Sequence, residues 1–349
     1  MRSPFFVWLA LSGCVSVPEM IGAPPPVWEL AITPPPMEGT FPPPQGVIVR
    51  PAKDGTLVIA TRPGRQIGDA YLAAPSFVRV NTDGAITITA TINTTDPVFN
   101  IEPIAEFVGM RVADDGAPVI GVFSSRNPWL AGFDASFAER WIFKSDLGLN
   151  FSNVWSIAVG PDGSTVVITT LVSQPVQTAL RYLDPSGALQ WRAPATIRDV
   201  AWMAENGSVA MCNYPDSWQR FSATGVFLNA VPSSCLSVLQ LRDGGGIVFE
   251  PETLELVRID SAGDTVWRSL LESRVERLFM SPAGDLLAVT SESSQVARFD
   301  GATGMLTARH DNKHVRMLSN PDHQPEIVSA DSEGYVLLQE SGLVRYAGP

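Results

Sequence analysis

The sequence predicts an all-β protein: a single β-propeller of seven four-stranded blades behind a signal peptide and a proline-rich linker. A unit bearing two glycine turns recurs from about residue 46 onward. Its second-turn glycines at 187, 225, 263, 304 and 342 are spaced 38, 38, 41 and 38 residues apart. A period near 40 with four short apolar strands per copy is that of a propeller blade. Composition agrees: 45% hydrophobic residues exclude a disordered chain, and 17% charged residues is low for a helical protein. The formal charge of −12 argues against nucleic acid as a partner, because phosphate binding needs a basic footprint.

The chain opens with Arg2, an apolar run from Phe5 to Leu11, and small residues before Cys14. This is the build of a short secretory signal, too short to span a bilayer, which needs about 20 residues. Leu11-Ser12-Gly13-Cys14 resembles the lipobox of bacterial lipoproteins. That resemblance implies removal of residues 1–13 and acylation (diacylglycerol and palmitate) of Cys14. An ordinary signal peptide with an incidental cysteine is the alternative. Val15 stands where an inner-membrane retention signal would carry Asp, which implies the outer membrane, with either face open.

Residues 14–45 read as the lipidated cysteine and a stalk. Nine prolines fall between Pro24 and Pro44. Such a segment favours polyproline II at ~3.1 Å per residue, so residues 15–44 would reach up to ~90 Å. A ligand for a proline-reading partner is the alternative. Val27-Trp28-Glu29-Leu30-Ala31-Ile32 reads as a short strand able to dock on the domain.

The propeller is assigned to 46–349. First strands are expected near Val47, Val108, Val154, Ile197, Leu236, Val275 and Val315. First turns include Ala52-Lys53-Asp54-Gly55 and Ala204-Glu205-Asn206-Gly207, with a degenerate Asn320-Pro321-Asp322-His323 in the last copy. Second turns include Asn81-Thr82-Asp83-Gly84, Asp184-Pro185-Ser186-Gly187 and Glu340-Ser341-Gly342, with Asp134-Ala135-Ser136-Phe137 in the slot of copy two. Asp or Ser at the start and Gly at the end is the chemistry of a turn with a positive-φ position. Six or eight blades stay open, and the regular period disfavours a pair of β-sandwiches.

The fourth strands of two copies share Asp-x-x-Gly-x-x-x-Trp, from Asp184 to Trp191 and from Asp260 to Trp267. Asp134 to Trp141 is a weaker copy, and the remaining copies lack the Trp. The motif resembles the blade signature of PQQ-like (quinoprotein-type) propellers, including the outer-membrane assembly lipoproteins built on that fold. The resemblance implies a fold, with each Trp packed between blades, and no activity. A quinoprotein dehydrogenase of that kind would need a larger ring, a Ca²⁺ site and a vicinal cysteine pair. Cys212 and Cys235 are 23 positions apart, so no cofactor is expected. In an oxidising compartment these two form a possible disulfide, with two separate thiols as the alternative.

His310, His314 and His323 cluster in sequence, but His323 is expected on the face opposite the other two, so no metal site is expected. Neither Gly-x-Ser-x-Gly nor a phosphate-binding loop is present, and no catalytic residue is assigned. The connections between strands two and three are long in the early blades and carry Arg, Tyr and Trp, residue types that anchor interfaces. Arg62, Arg65, Asp69, Tyr71, Arg126, Trp129, Tyr214 and Trp218 are therefore the candidate interaction surface. The expected function is a membrane-anchored, non-catalytic scaffold for envelope proteins. The alternative is a small-ligand or metal-dependent hydrolase or lyase using the central mouth.

Overall fold

The computed structural model describes residues 26–33, 47–93, 106–123, 129–143, 151–171, 177–196, 200–213, 217–232, 238–241, 243–250, 252–262, 264–281, 284–290, 295–311, 326–330, 334–339 and 342–347. They form strands and turns only, arranged as seven antiparallel blades. Blade one is Val47–Pro51, Leu57–Thr61, Ser76–Val80 and Ile86–Thr91. Blade two is Glu106–Val112, Pro118–Phe123, Trp129–Phe133 and Glu139–Phe143, and blade three Phe151–Val159, Thr165–Leu171, Gln177–Leu183 and Leu189–Pro194. Blade four is Val200–Met203, Val209–Asn213, Ser217–Phe221 and Phe227–Pro232. Blade five is Val238–Gln240, Gly246–Glu250, Glu255–Ile259 and Thr265–Leu270, and blade six Val275–Met280, Leu286–Thr290, Gln295–Phe299 and Leu306–Asp311.

Blade seven is assembled from both ends of the chain. Glu326–Ala330, Gly334–Gln339 and Gly342–Ala347 supply its first three strands, and Pro26–Thr33 pairs antiparallel with the third as its fourth. The docking strand expected at Val27–Ile32 is thus the closing strand of the ring. Residues 26–33, expected from the sequence to be part of the stalk, therefore belong to the fold.

Two further expectations are corrected in this blade. Its first strand starts at Glu326, not near Val315. Gly342 opens the third strand and so is not a second-turn glycine; the matching turn has no counterpart because the fourth strand arrives from the other terminus. The Asn320–His323 turn lies outside the described residues.

The core is divided by interface. Each neighbouring pair of blades shares one buried apolar cluster, seven in all among the described residues. Leu30 and Ile32 of the closing strand join Val47 and Val49 of blade one and Leu343 of blade seven. A blade is covered on both faces, so its second strand is apolar at nearly every position: Leu57–Thr61 and Leu286–Thr290 are buried throughout. That explains continuous apolar runs where a one-sided sheet would alternate.

The turns close by a shared chemistry. In the first turn of blade one, the Gly55 N–H donates to the Ala52 carbonyl at 3.1 Å and the Ala52 N–H to the Thr56 carbonyl at 2.8 Å. Gly55 has a φ of 82°, the left-handed residue of a type I turn with a bulge. In the second turns, Asp134 and Asp184 each accept N–H bonds from residues two and four ahead. Both turns of a blade emerge on one face of the ring, the turn face. Connections between strands two and three, and from strand four onward, emerge on the other, the loop face.

Candidate functional site

The second-turn glycines are packing sites. A Cβ at Gly187 would lie 2.6 Å from the ring of Trp141, and one at Gly225 would lie 2.7 Å from Trp191. At Gly304 it would lie 2.5 Å from Trp267. Each Trp stands on the fourth strand of the preceding blade, and the indole lies against the glycine of the next. The indole N–H groups donate across the interface, Trp191 to the Ala223 carbonyl at 2.9 Å and Trp267 to the Gly301 carbonyl at 3.1 Å. Trp28 repeats the contact at the closure: it covers Gly84 of blade one and donates to the Thr82 carbonyl at 2.9 Å. The Trp residues read from the sequence motif are therefore interblade wedges, and Trp28 is a further one.

On the loop face, the long connection of blade one is not a loop. Arg65–Ile67 and Ala70–Leu72 form a hairpin about Gly68-Asp69, and Arg65–Ile67 pairs with Ile32 and Thr33 of the closing strand. Blade seven thereby becomes a six-stranded sheet. Ile67 and Leu72 are buried and fix the hairpin, while Tyr71 is 65% exposed and Asp69 is exposed at the tip. The Gly68 N–H donates to the Ala31 carbonyl at 2.9 Å. A two-residue Gly-Asp turn between short apolar runs is a hairpin signal that identifies this element from sequence.

The remaining candidate contacts disperse. Arg62 is half-buried and its Nε makes no hydrogen bond. Arg65 is buried against the expectation of exposure, and burial, then the like charge of Arg62, lowers its guanidinium affinity for protons. Trp218 is also corrected: it lies in the third strand of blade four rather than tipping a loop, and is 1% exposed. Its ring packs on Gly246 of blade five and edge-on to Trp202 at 6.4 Å. Trp129 stands in the third strand of blade two. Arg126 and Tyr214 lie outside the described residues, as do Cys14, Cys235, His314 and His323. Cys212 is buried and disulfide-bonded.

Blade three adds loop-face features that sequence reasoning did not single out. Trp155 sits at a bulge in the innermost strand and is 42% exposed. Its indole N–H donates to Thr170 Oγ1 at 2.8 Å, and Thr170 and Thr178 share a hydrogen bond of 2.8 Å. Beyond Thr178 a cleft of about 670 Å³ runs along Gln177, Ala179, Arg192 and Pro194. Arg181 in its wall is buried, and its Nη1 donates to Thr169 Oγ1 at 2.6 Å and to the Ala179 carbonyl at 3.1 Å.

The turn face holds a central opening of about 680 Å³. Lys53 of blade one bridges it, with Nζ 2.8 Å from Asp114 of blade two and 3.7 Å from Glu205 of blade four. Arg258 donates to Asp243 at 3.0 Å and to the Gly301 carbonyl at 2.6 Å. Asp300, also at this opening, is held below the usual carboxylate range by the Thr303 N–H and hydroxyl, then by the Ala302 N–H. A carboxylate held ionised in this way, as Asp300 is, positions charge but does not donate a proton near neutrality. Among the described residues no three His, Cys, Asp or Glu converge to hold a metal. No helix among them is long and apolar enough to cross a membrane.

Arg79, Arg220, Arg258 and Arg298 were also missed. Each is the next-to-last residue of a third strand, in blades one, four, five and six. Arg79 reaches into blade two, donating to the Gly116 carbonyl at 2.8 Å and lying 5.1 Å over the Phe137 ring. The recurrence of Arg at one strand position is the signal that finds them.

This geometry defines a seven-bladed β-propeller with a decorated loop face and an ion-paired turn face. No protein-family profile matches the sequence, and no curated protein matches it. Solved structures do. Virginiamycin B lyase from Staphylococcus aureus is similar with a TM-score of 0.56 at 12% identity, over 92% of this chain and 99% of that one. BBS1N, solved in complex with ARL6DN, is similar with a TM-score of 0.52 at 10% identity, over 91% and 97%. BamB from Moraxella catarrhalis gives a TM-score of 0.44 at 12% identity, over 91% and 96%. At these identities the first two share the fold alone, and the third is too distant in shape to support a functional parallel.

Proposed function

We propose that this protein is a lipid-anchored envelope protein whose propeller is a non-catalytic platform for other proteins, contacted through its loop face. The observation that carries the reading is the blade-one hairpin. It holds an exposed aromatic, Tyr71, on a strand pair locked by buried Ile67 and Leu72 and by pairing to the closing strand. An aromatic presented on a rigid element anchors a partner with little ordering cost. Asp69 beside it and the half-buried Arg62 supply polar contacts, and Trp155 of blade three is a second exposed aromatic. BBS1N, one of the similar structures, was solved bound to a protein.

The anchor is Cys14 of Leu11-Ser12-Gly13-Cys14, with the outer membrane as the site and Cys235 as the disulfide partner of Cys212. The platform is tested by replacing Tyr71 and Asp69 with Ala in the full chain. Partner recovery from native envelopes should fall while stability to unfolding shifts by no more than about 0.5 kcal/mol. Unchanged recovery from the double variant sinks the assignment.

A second reading, a small-ligand or metal-dependent hydrolase or lyase in the central mouth, draws on the turn-face opening bridged by Lys53. Bound metal in elemental analysis, or a turnover lost in Lys53→Ala, would favour it.

A further inference from the structure

We propose that the ring sits with the turn face of blades four to seven against the lipid bilayer, so that the loop face of blades one to three points away. This rests on the lipid anchor at Cys14 proposed above. The closing strand carries the first part of the argument. Fourth strands run from the turn face to the loop face, and Pro26 pairs with Tyr346 at the turn-face end of its neighbour. The chain leading back to Cys14 therefore leaves blade seven on the turn face. Twelve residue steps separate Cys14 from Pro26, at most about 43 Å when fully extended. The ring is held by one rim close to the acyl chains, where a stalk ending at residue 45 would have let it turn freely.

The second part is an asymmetry among the seven fourth strands. Taking the second-turn glycine or its equivalent as reference, the residues one and three places later point outward. In blades one to three these are Ala85 and Thr87, Ala138 and Arg140, and Ala188 and Gln190. Blades four to seven each present at least one large apolar side chain there: Val226 (61% exposed) and Leu228, Val266 with Asp264, Met305 (56%) with Thr307, and Val27 (59%). Phe227, between the two in blade four, is 54% exposed. Four consecutive blades, including the one that carries the tether, thus expose an apolar rim at the turn-face end of their outer edge. Apolar side chains at a shared level beside an acyl anchor match the two-signal logic of stable peripheral binding. The chain is net acidic, so this contact rests on apolar insertion and not on attraction to anionic headgroups.

The test places a photo-crosslinking benzoylphenylalanine, one position at a time, at Phe227, Val266 and Met305, and at Thr87 and Gln190 as equivalent positions of blades one and three. The full chain is expressed in a bacterial envelope, and the mass of its N-terminal peptide reports acylation of Cys14. Lipid adducts several-fold more abundant at 227, 266 and 305 than at 87 and 190 support the proposal. An acylated chain with equal adducts at all five positions, or none at 227, 266 and 305, overturns the orientation and leaves the anchor standing. Protein adducts in place of lipid at those three positions also overturn it, making the rim a protein interface. An unmodified Cys14 overturns the anchor and the orientation with it.

Discussion

Trp267 and Gly304 belong to different blades and behave as one unit. Replacing Gly304 by Ala puts a methyl 2.5 Å from the indole at a φ of +71°, an overpacking that costs about 1–3 kcal/mol. Trp267→Ala empties a buried ring site and costs about 3–5 kcal/mol. In the double variant the methyl no longer meets the ring, so the two effects fall short of their sum, as a double-mutant cycle by chemical denaturation will show. Additive costs would mean that the ring and the glycine do not touch. Blade one has Ile88 in place of this Trp, and the next turn has Phe137 in place of glycine, at a φ of 70°. Phe137 packs 5.0 Å from Phe77 and fills the site from the other side, which is why this turn tolerates a residue that the left-handed region disfavours.

The turn aspartates give a pH dependence at the same scale. Asp134 and Asp184 are held below the usual carboxylate range, first by the hydroxyls of Ser136 and Ser186, against some desolvation, and further by backbone N–H groups. Since the folded values lie below the unfolded value of about 3.9, their stabilisation is complete above it and is lost as pH falls through the folded values. Thermal unfolding should therefore be flat near neutrality and fall below about pH 4, with a shallower fall in Asp184→Ala. An equally steep fall in that variant would contradict the assignment.

Among the elements, the closing strand has the largest consequence. Leu30 and Ile32 are buried by it, and removing a residue of that kind from the core costs about 1.5–3 kcal/mol each. A chain lacking residues 1–33 should lose about 3–6 kcal/mol and expose apolar surface, whereas one lacking residues 1–25 should unfold as the full chain does. Equal midpoints for the two truncations would show that the strand is not part of the ring. Val27–Ile32 was legible in sequence as a strand because of its apolar content, yet its partner was not: pairing with the far terminus is a non-local choice that period and composition do not encode. The same limit misplaced the seventh blade, whose turn glycines follow a different register once the fourth strand comes from elsewhere.

The repeat made blades one to six readable because each has two turns of fixed chemistry. The candidate surface was read less well. Aromatic residues in a linker suggest exposure, but Trp218 lies in a strand facing Gly246, and only three-dimensional packing separates Trp218 from Tyr71. The hairpin at Arg65–Leu72 was encoded by Gly68-Asp69 and was obscured by the length of the connection around it.

As a whole molecule, the propeller divides its faces. The turn face gathers the ion pairs of Lys53 and Arg258, Asp300 and the start of the closing strand, and the loop face carries the hairpin, Trp155 and the cleft of blade three. If Cys212 pairs with Cys235, the bond closes a loop of about two dozen residues in blade four and adds roughly 3 kcal/mol. Cys212→Ser should then lower stability in chemical denaturation by that amount, and reductant should have no further effect on the variant.

The central claim is that the loop face meets a protein partner. A photo-crosslinker in place of Tyr71, activated in intact cells, tests it most directly. The account predicts a discrete protein adduct at position 71 that is absent when the crosslinker replaces Gln190 in a folded chain. No adduct at 71, or the same adduct from both positions, would contradict it.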